Sequence, residues 1–308
     1  MRVIADLGAA AVAKELRGPG IPIRMGDLVV RLRSSIEAVA HGVATLYADY
    51  PVADHDGFAD FHVRIAQPRN GRRWLRPQVL FEFDGFVPFK PLPFTQAFAL
   101  LEWGLNWCVH RHLHRQLIIH AAVVERYGRA SILSGAPGAG KSTLCAALVN
   151  RGWRLLSDEL ALVSLKDLSL APLPRPVSLK ENSIEIIRAF APDAFIGRAC
   201  VDTNKGRVAH MRPPKSSVER AGEAAAPAWI MFPRYTAKAP VTLTTLSRGQ
   251  AAMRLAGHAF NYNTLGLSGF QALCDLTERC QTAEFEYSDL DDAVSFLDEL
   301  PDESGSAA

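Results

Sequence analysis

Cysteine is scarce and unpatterned in this chain. Its five cysteines, at 108, 145, 200, 274 and 280, give an odd count with no C-x-x-C pair. That excludes a disulfide framework and a cysteine-rich zinc site, and it reads as reduced cytosolic thiols. Net charge is nearly absent too. The balance is 34 Lys and Arg against 32 Asp and Glu, or +2, which leaves no electrostatic argument for nucleic acid or a membrane surface as partner. No run approaches the roughly 20 apolar residues of a membrane span. The first 17 residues carry Arg2, Asp6, Lys14 and Glu15 around a short apolar run. They read as a surface helix rather than a signal peptide. The remaining composition, 48% hydrophobic and 21% charged over 308 residues, suits one large globular domain or two modest ones.

Against this plain background one stretch stands out: Gly135-Ala136-Pro137-Gly138-Ala139-Gly140-Lys141-Ser142-Thr143. It fits the P-loop pattern G-x-x-x-x-G-K-[ST] in full. The apolar run Ala130–Ser134 before it reads as a buried strand, and Thr143–Val149 after it as a helix. That context is what the pattern needs. A polyphosphate is strongly anionic, and the first turn of a helix offers unpaired N–H groups and a positive dipole end. Glycines let the backbone curl around the phosphates. Lys141 can then reach the β- and γ-phosphates, and the Ser142 hydroxyl can serve Mg²⁺.

The flanking chain reads as alternating elements. Strands are expected at Asp27–Arg33, Phe61–Ile65 and Val79–Phe83, with Asn70-Gly71 as a hairpin turn and a helix over Ile36–Tyr47. A Pro-rich connector, Pro88–Pro93, precedes a helix from Thr95 to about Arg115, where Trp103 and Trp107 share a face suited to core packing. His110, His112 and His114 lie two apart on that helix, so they cannot jointly chelate a metal. Leu117–Val124, containing His120, reads as a strand, and Trp153–Ser157 as another that ends in Asp158-Glu159. Ligands of open α/β sheets bind at the carboxyl ends of strands. A carboxylate there, downstream of a P-loop, is the expected Mg²⁺-organising group. Two adjacent carboxylates can divide the work, one holding metal and one taking a proton. Leu160–Leu165 and Leu168–Leu173 suggest a hairpin, Asn182–Phe190 a helix, and Trp229–Phe232 a strand. Gly197–Glu223, rich in Lys, Arg and Pro, suits either a mobile phosphate-facing loop or a plain surface excursion. Strands begin at Val241 and Glu284, helices cover Ala251–Phe260, Leu267–Thr277 and Leu290–Leu300, and residues 301–308 read as a disordered tail.

From His120 to Glu159 the chain resembles HPr kinase/phosphorylase and its relatives. The matching features are His120 in a strand, the loop Gly135–Ser142, the pair Arg151-Gly152, and Arg154-Leu155-Leu156-Ser157-Asp158-Glu159 in place of an R-L-x-x-D-D strand end. Glu159 stands where the family has Asp. The stretch Arg175–Lys180 stands where the family has a glycine-rich signature. The first third is unlike the N-terminal domain of true HPr kinases, so the resemblance is to the diverged HPr kinase-related group. It implies an α/β fold with a mixed sheet, shared with phosphoenolpyruvate carboxykinase. The expected layout is a small α+β module at 1–90, the P-loop domain at 91–300 and the tail at 301–308. It also implies a cytoplasmic phosphotransferase that uses ATP and Mg²⁺ to phosphorylate a hydroxyl. A serine of a protein or peptide is the first expectation, and a small molecule the second. The alternative class is a nucleotide-binding regulator or ATPase that transfers nothing.

The resemblance also implies roles. Lys141 stabilises the transferred phosphoryl group, Ser142 and Asp158 organise Mg²⁺, Glu159 accepts the hydroxyl proton, and His120 supports them. Lys180, Arg175 and Arg212 are candidate further cations by charge and position alone. The family's assembly into homo-oligomers has no counterpart that can be read from these residues.

Overall fold

The computed structural model describes residues 2–68, 71 and 75–300. Asn70 of the expected hairpin turn and the tail 301–308 lie outside the described residues. In chain order, the first part comprises α1 (Ile4–Leu7), α2 (Ala9–Arg17), β1 (Ile21–Met25), β2 (Leu28–Ser34), α3 (Glu37–Leu46), β3 (Phe61–Ala66), β4 (Gln78–Phe83), β5 (Leu92–Pro93) and α4 (Ala97–His112). Its five strands form one sheet in the order β1-β2-β3-β4-β5. The period-2 pattern works as expected: Phe61, Val63, Ile65, Val79, Phe81 and Phe83 all point into the core. Helix α4 covers that face, and a Cβ at Gly104 would collide with the Phe81 ring. The same core takes in Ile118, Leu160, Leu162, Leu173 and Val218 from further along the chain.

The second part runs β6 (Gln116–Arg126), β7 (Arg129–Ser134), α5 (Lys141–Asn150), β8 (Arg154–Ser157), β9 (Leu160–Ser164), β10 (Leu170–Ala171), β11 (Val177–Lys180), α6 (Asn182–Phe190), β12 (Cys200–Thr203), β13 (Gly206–Met211) and α7 (Lys215–Glu219). It continues with β14 (Ala226–Tyr235), β15 (Thr242–Thr245), α8 (Arg248–Ala256), α9 (Tyr262–Leu265), α10 (Leu267–Arg279), β16 (Gln281–Tyr287) and α11 (Leu290–Asp298). An eight-stranded mixed sheet has the order β10-β9-β6-β7-β14-β16-β15, with β8 beside β6. Strands β7, β14 and β16 run parallel, and β6 runs antiparallel to β7. One face packs on α5, α6 and α11, the other on α8 and α10. This buries the sheet on both sides, as its nearly all-apolar central strands require. No helix among the described residues is long and apolar enough to cross a membrane.

Residues 197–223 are neither a mobile loop nor a surface excursion. They contain β12, β13 and α7, and β13 pairs with β11 with Val208, Ala209, His210 and Met211 buried. The charges that made the stretch look loop-like sit at its edges. Arg207 pairs with Glu185, Arg212 with Asp49 and Lys215 with Glu219.

Candidate functional site

The glycine loop joins β7, in the middle of the large sheet, to α5. Gly138 and Gly140 adopt φ of +86° and +94°, a region that costs other residues strain. Gly140 is also fixed by space. A Cβ there would lie 2.5 Å from Tyr287 Oη, which donates to the Gly140 carbonyl at 3.3 Å. The loop thus delivers the N-terminus of α5, with its unpaired N–H groups, to one point. Lys141 begins that helix. Its Nζ is folded back to donate to the carbonyls of Gly135 (2.7 Å) and Ala136 (3.0 Å). Burial pushes its pKa down, opposed by the nearby Glu159.

The acidic pair at the end of β8 lies against this loop, and the two carboxyls are treated differently. Asp158 is buried. Its Oδ2 accepts from Ser178 N at 2.8 Å, while Oδ1 has no hydrogen-bond partner. Burial first, and then the neighbouring Glu159 charge, raise its pKa, against the Ser178 hydrogen bond, Lys180 and the Ser142 hydroxyl. Glu159 has the opposite bias. Burial would raise it, but a hydrogen bond from His120 and the charges of Lys180, His120 and Lys205 outweigh burial and hold it low. His120 Nε2 lies 3.0 Å from Glu159 Oε2, and Lys180 Nζ 3.8 Å from Oε1.

Fit to a divalent cation can be judged from these groups. An orphaned buried carboxylate oxygen beside a serine hydroxyl suits a hard cation that takes one or two protein oxygens and fills its remaining positions with phosphate and water. Asp158 and Ser142 therefore fit Mg²⁺. Among the described residues no cluster of three or more His, Cys, Asp or Glu could hold a metal ion.

The structure brings His120, the loop 135–143, Asp158, Glu159 and Lys180 together. It takes two sequence candidates elsewhere. Arg175 is buried against Glu102 and Asn106 on α4. The Arg212 guanidinium donates to Asp49 Oδ2 at 2.9 and 2.5 Å. Both tie the two parts of the chain together and leave the loop unserved. Arg154, from the R-L-x-x-D-E stretch, is likewise structural: it pairs with buried Glu125 and donates to the carbonyls of Arg220 and Glu223. His110 stacks on Phe260 at 4.6 Å and His112 on Phe83 at 4.7 Å.

One site residue had no local signal. His258 follows α8. Its carbonyl accepts from His120 N at 2.8 Å, and its Nδ1 lies 2.9 Å from Ser134 Oγ. Burial, Lys141 and His120 lower its pKa, in that order, so it adds no charge beside the loop at neutral pH.

Fold and loop together define a mixed α/β protein with a P-loop sequence between a central strand and a helix. No family model matches the chain. The HPr kinase/phosphorylase of Streptococcus thermophilus is 33% identical over 67 residues, 22% of this chain and 22% of that protein. The HPr kinase/phosphorylase of Leptospira biflexa serovar Patoc is 29% identical over 109 residues, 34% of this chain and 32% of that protein. Over these parts the chain is related to the HPr kinases. It spans less than a third of the length of either relative. The Hpr(Ser) kinase/phosphatase of Coxiella burnetii matches 59% of this chain and 96% of its own at 12% identity, with a TM-score of 0.23. That superposition is too loose to carry an argument.

Proposed function

We propose that this chain is an HPr kinase-related, ATP- and Mg²⁺-dependent kinase of the cytoplasm that phosphorylates a hydroxyl, first of all a serine of a protein or peptide. One observation carries the reading. Asp158 and Glu159, adjacent in sequence and placed against a P-loop lysine, are held in two different ways: Asp158 is buried with Oδ1 left without a partner, while Glu159 is gripped by His120 at 3.0 Å and Lys180 at 3.8 Å. A protein that only binds nucleotide has no use for that division.

Phosphoryl transfer asks for in-line positioning and for cations where charge builds up, with little covalent help. The turn at α5 and Lys141 supply both for the γ-phosphoryl group. Asp158 Oδ1 and Ser142 are the groups that would hold Mg²⁺, whose charge would offset that of the phosphates. Glu159, ionised and oriented by His120 and Lys180, takes the hydroxyl proton. The acceptor oxygen forms the new bond to phosphorus as the bond to the β–γ bridging oxygen breaks, and ADP leaves. The raised proton affinity of Asp158 favours one alternative, in which the two carboxylates exchange roles.

The test is incubation with γ-labelled ATP and Mg²⁺, with and without a lysate of the source cell. A labelled acceptor that disappears with Lys141→Ala supports the kinase reading. Tight nucleotide binding with only inorganic phosphate released points instead to an ATPase or regulator.

A further inference from the structure

Beside Glu159 lies a second pair of cations, Lys180 and Lys205, that the P-loop pattern does not include. Lys180 ends β11, with Nζ 3.8 Å from Glu159 Oε1. Lys205 occupies the turn from β12 to β13. Thr203 shapes that turn: its Oγ1 accepts from Lys205 N at 3.0 Å and donates to the Gly206 carbonyl at 2.7 Å. Because β11 and β13 pair directly, with Lys180 opposite Val208, the two lysines project from one small sheet.

Helix α4 closes the other side. Gln96, just before it, donates through Nε2 to the Asp202 carbonyl at 2.8 Å and so holds the helix start on the turn. Lys205 Nζ stands 5.5 Å from the centre of the Trp103 ring, and Trp103 Nε1 is buried without a partner. Lys205 is exposed overall and makes no ion pair among the described residues. Its stem can lie on the indole while its ammonium stays within reach of solvent.

The charges around these two lysines do not balance. The single Glu159 carboxylate faces His120, Lys180 and Lys205 together, so it offsets only part of their charge. Burial, opposed by Glu159 and reinforced by Lys180, lowers the Lys205 pKa, as expected of an ammonium crowded by another. Lys180 is close enough to both Lys141 and Lys205 for each to feel its charge. The nucleotide phosphates would belong to Lys141, and among the described residues Lys205 has no ion-pair partner, the carboxylate of Glu181 beside Gly206 accepting instead from Arg207 N at 2.9 Å.

We propose that Lys180 and Lys205, with Trp103 as the wall, bind an anionic group on the phosphoryl acceptor. The acceptor is then a hydroxyl compound carrying a carboxylate or phosphate close to the reacting oxygen. The proposal rests on the kinase reading and names its substrate class. The geometry is apt, because a base must lie within about 3 Å of the hydroxyl it deprotonates. An anion on Lys180 therefore brings its neighbouring hydroxyl to Glu159. Lysine binds carboxylate and phosphate alike as a point charge, so the two lysines define an anion and not yet which one.

The experiment uses the full chain saturated with a non-hydrolysable ATP analogue and Mg²⁺, so that the loop is filled. Inorganic phosphate, and separately acetate, is titrated into it calorimetrically. At least one should bind, and Lys205→Met and Lys180→Met should each weaken it by about tenfold or more, the effect of one lost charged contact. Lys205→Arg, which keeps the charge, should retain binding. Stronger phosphate binding marks a phosphorylated acceptor, and stronger acetate binding a carboxylate one. Failure of both anions to bind overturns the proposal. So does a Lys205→Met variant that loses analogue affinity as much as anion affinity, since Lys205 would then serve the nucleotide. An analogue that fails to bind the unaltered protein overturns the kinase reading itself, and with it the acceptor subsite.

Discussion

Replacing Arg175 with Met separates two readings of that residue, because the sequence allows it as an active-site cation while the structure buries it. Arg175 is 7% exposed and Glu102 3%. The guanidinium Nη1 lies 3.3 Å from the Glu102 carbonyl and 3.4 Å from Oε2, and Tyr47 Oη donates to Oε1 at 2.6 Å. Removing one partner of such a pair leaves the other charge buried, at a cost of about 3–5 kcal/mol. With a melting shift of roughly 2–4 °C per kcal/mol at this size, Arg175→Met should melt roughly 6–20 °C lower. The pH dependence identifies the cause. Burial already raises the Glu102 pKa, while Arg175 and the Tyr47 hydrogen bond oppose the rise. Without Arg175 it rises further. An acid whose pKa is higher folded than unfolded stabilises the fold below its unfolded pKa, and that stability is lost as pH climbs through the folded pKa. The variant should therefore lose stability more steeply than the parent as pH rises above the ordinary carboxylate range. Glu102→Gln in the same chain should flatten that slope. Thermal melts followed by circular dichroism across that rise give the answer. A variant that melts with the parent while losing phosphoryl transfer would refute the reasoning and return Arg175 to the active site.

The remaining expectations concern the loop and the acidic pair. Gly140→Ala adds a Cβ at φ +94° and 2.5 Å from Tyr287 Oη, so nucleotide affinity should fall. Tyr287→Phe in the same chain should recover only part of it, since the backbone strain stays; full recovery would show that strain is unimportant. Glu159→Gln should keep nucleotide affinity and slow transfer by about 10²–10⁴-fold, whereas Asp158→Asn should weaken the response to Mg²⁺. The reverse pattern in single-turnover assays would exchange their roles. The Asp158 pKa is raised to about 6, so the carboxylate is charged above that pH and protonated below it. Activity at limiting Mg²⁺ should fall as pH drops through about 6 and recover with added Mg²⁺, and a flat profile from pH 5 to pH 8 would count against Asp158 as the metal group.

What could be read from the sequence was what neighbouring residues determine. The P-loop strand, its glycines and its helix are set within about twenty residues, and so is the strand that ends in Asp158-Glu159. They were found where expected. What could not be read depends on distant partners. The 197–223 stretch averages to a polar composition, yet β13 is buried because β11 covers it. His258 reaches His120 across 138 residues through a backbone hydrogen bond that no local pattern announces. Trp103 and Trp107 share a helix, but Trp107 packs on Phe83 and Phe89 while Trp103 faces Lys205.

The same dependence on distant partners gives the first part of the chain a bearing on the site. Tyr50 Oη donates to the Pro174 carbonyl, Arg175 is gripped by α4, and Arg212 by Asp49. Pro174 and Arg175 lead directly into β11, whose Ser178 N–H fixes Asp158 Oδ2 and whose last residue, Lys180, faces Glu159. Two of these contacts thus anchor the strand that orients both carboxyls, and the third anchors the end of β13, the strand paired with it. A catalytic pair needs its supporting groups held to within about half an ångström, so loosening this anchor should reach the chemistry before it unfolds the chain. The Arg175→Met variant, assayed well below its own melting temperature, should therefore show a lowered transfer rate with nucleotide affinity largely kept, because the loop between β7 and α5 is shaped by its own glycines and by Tyr287.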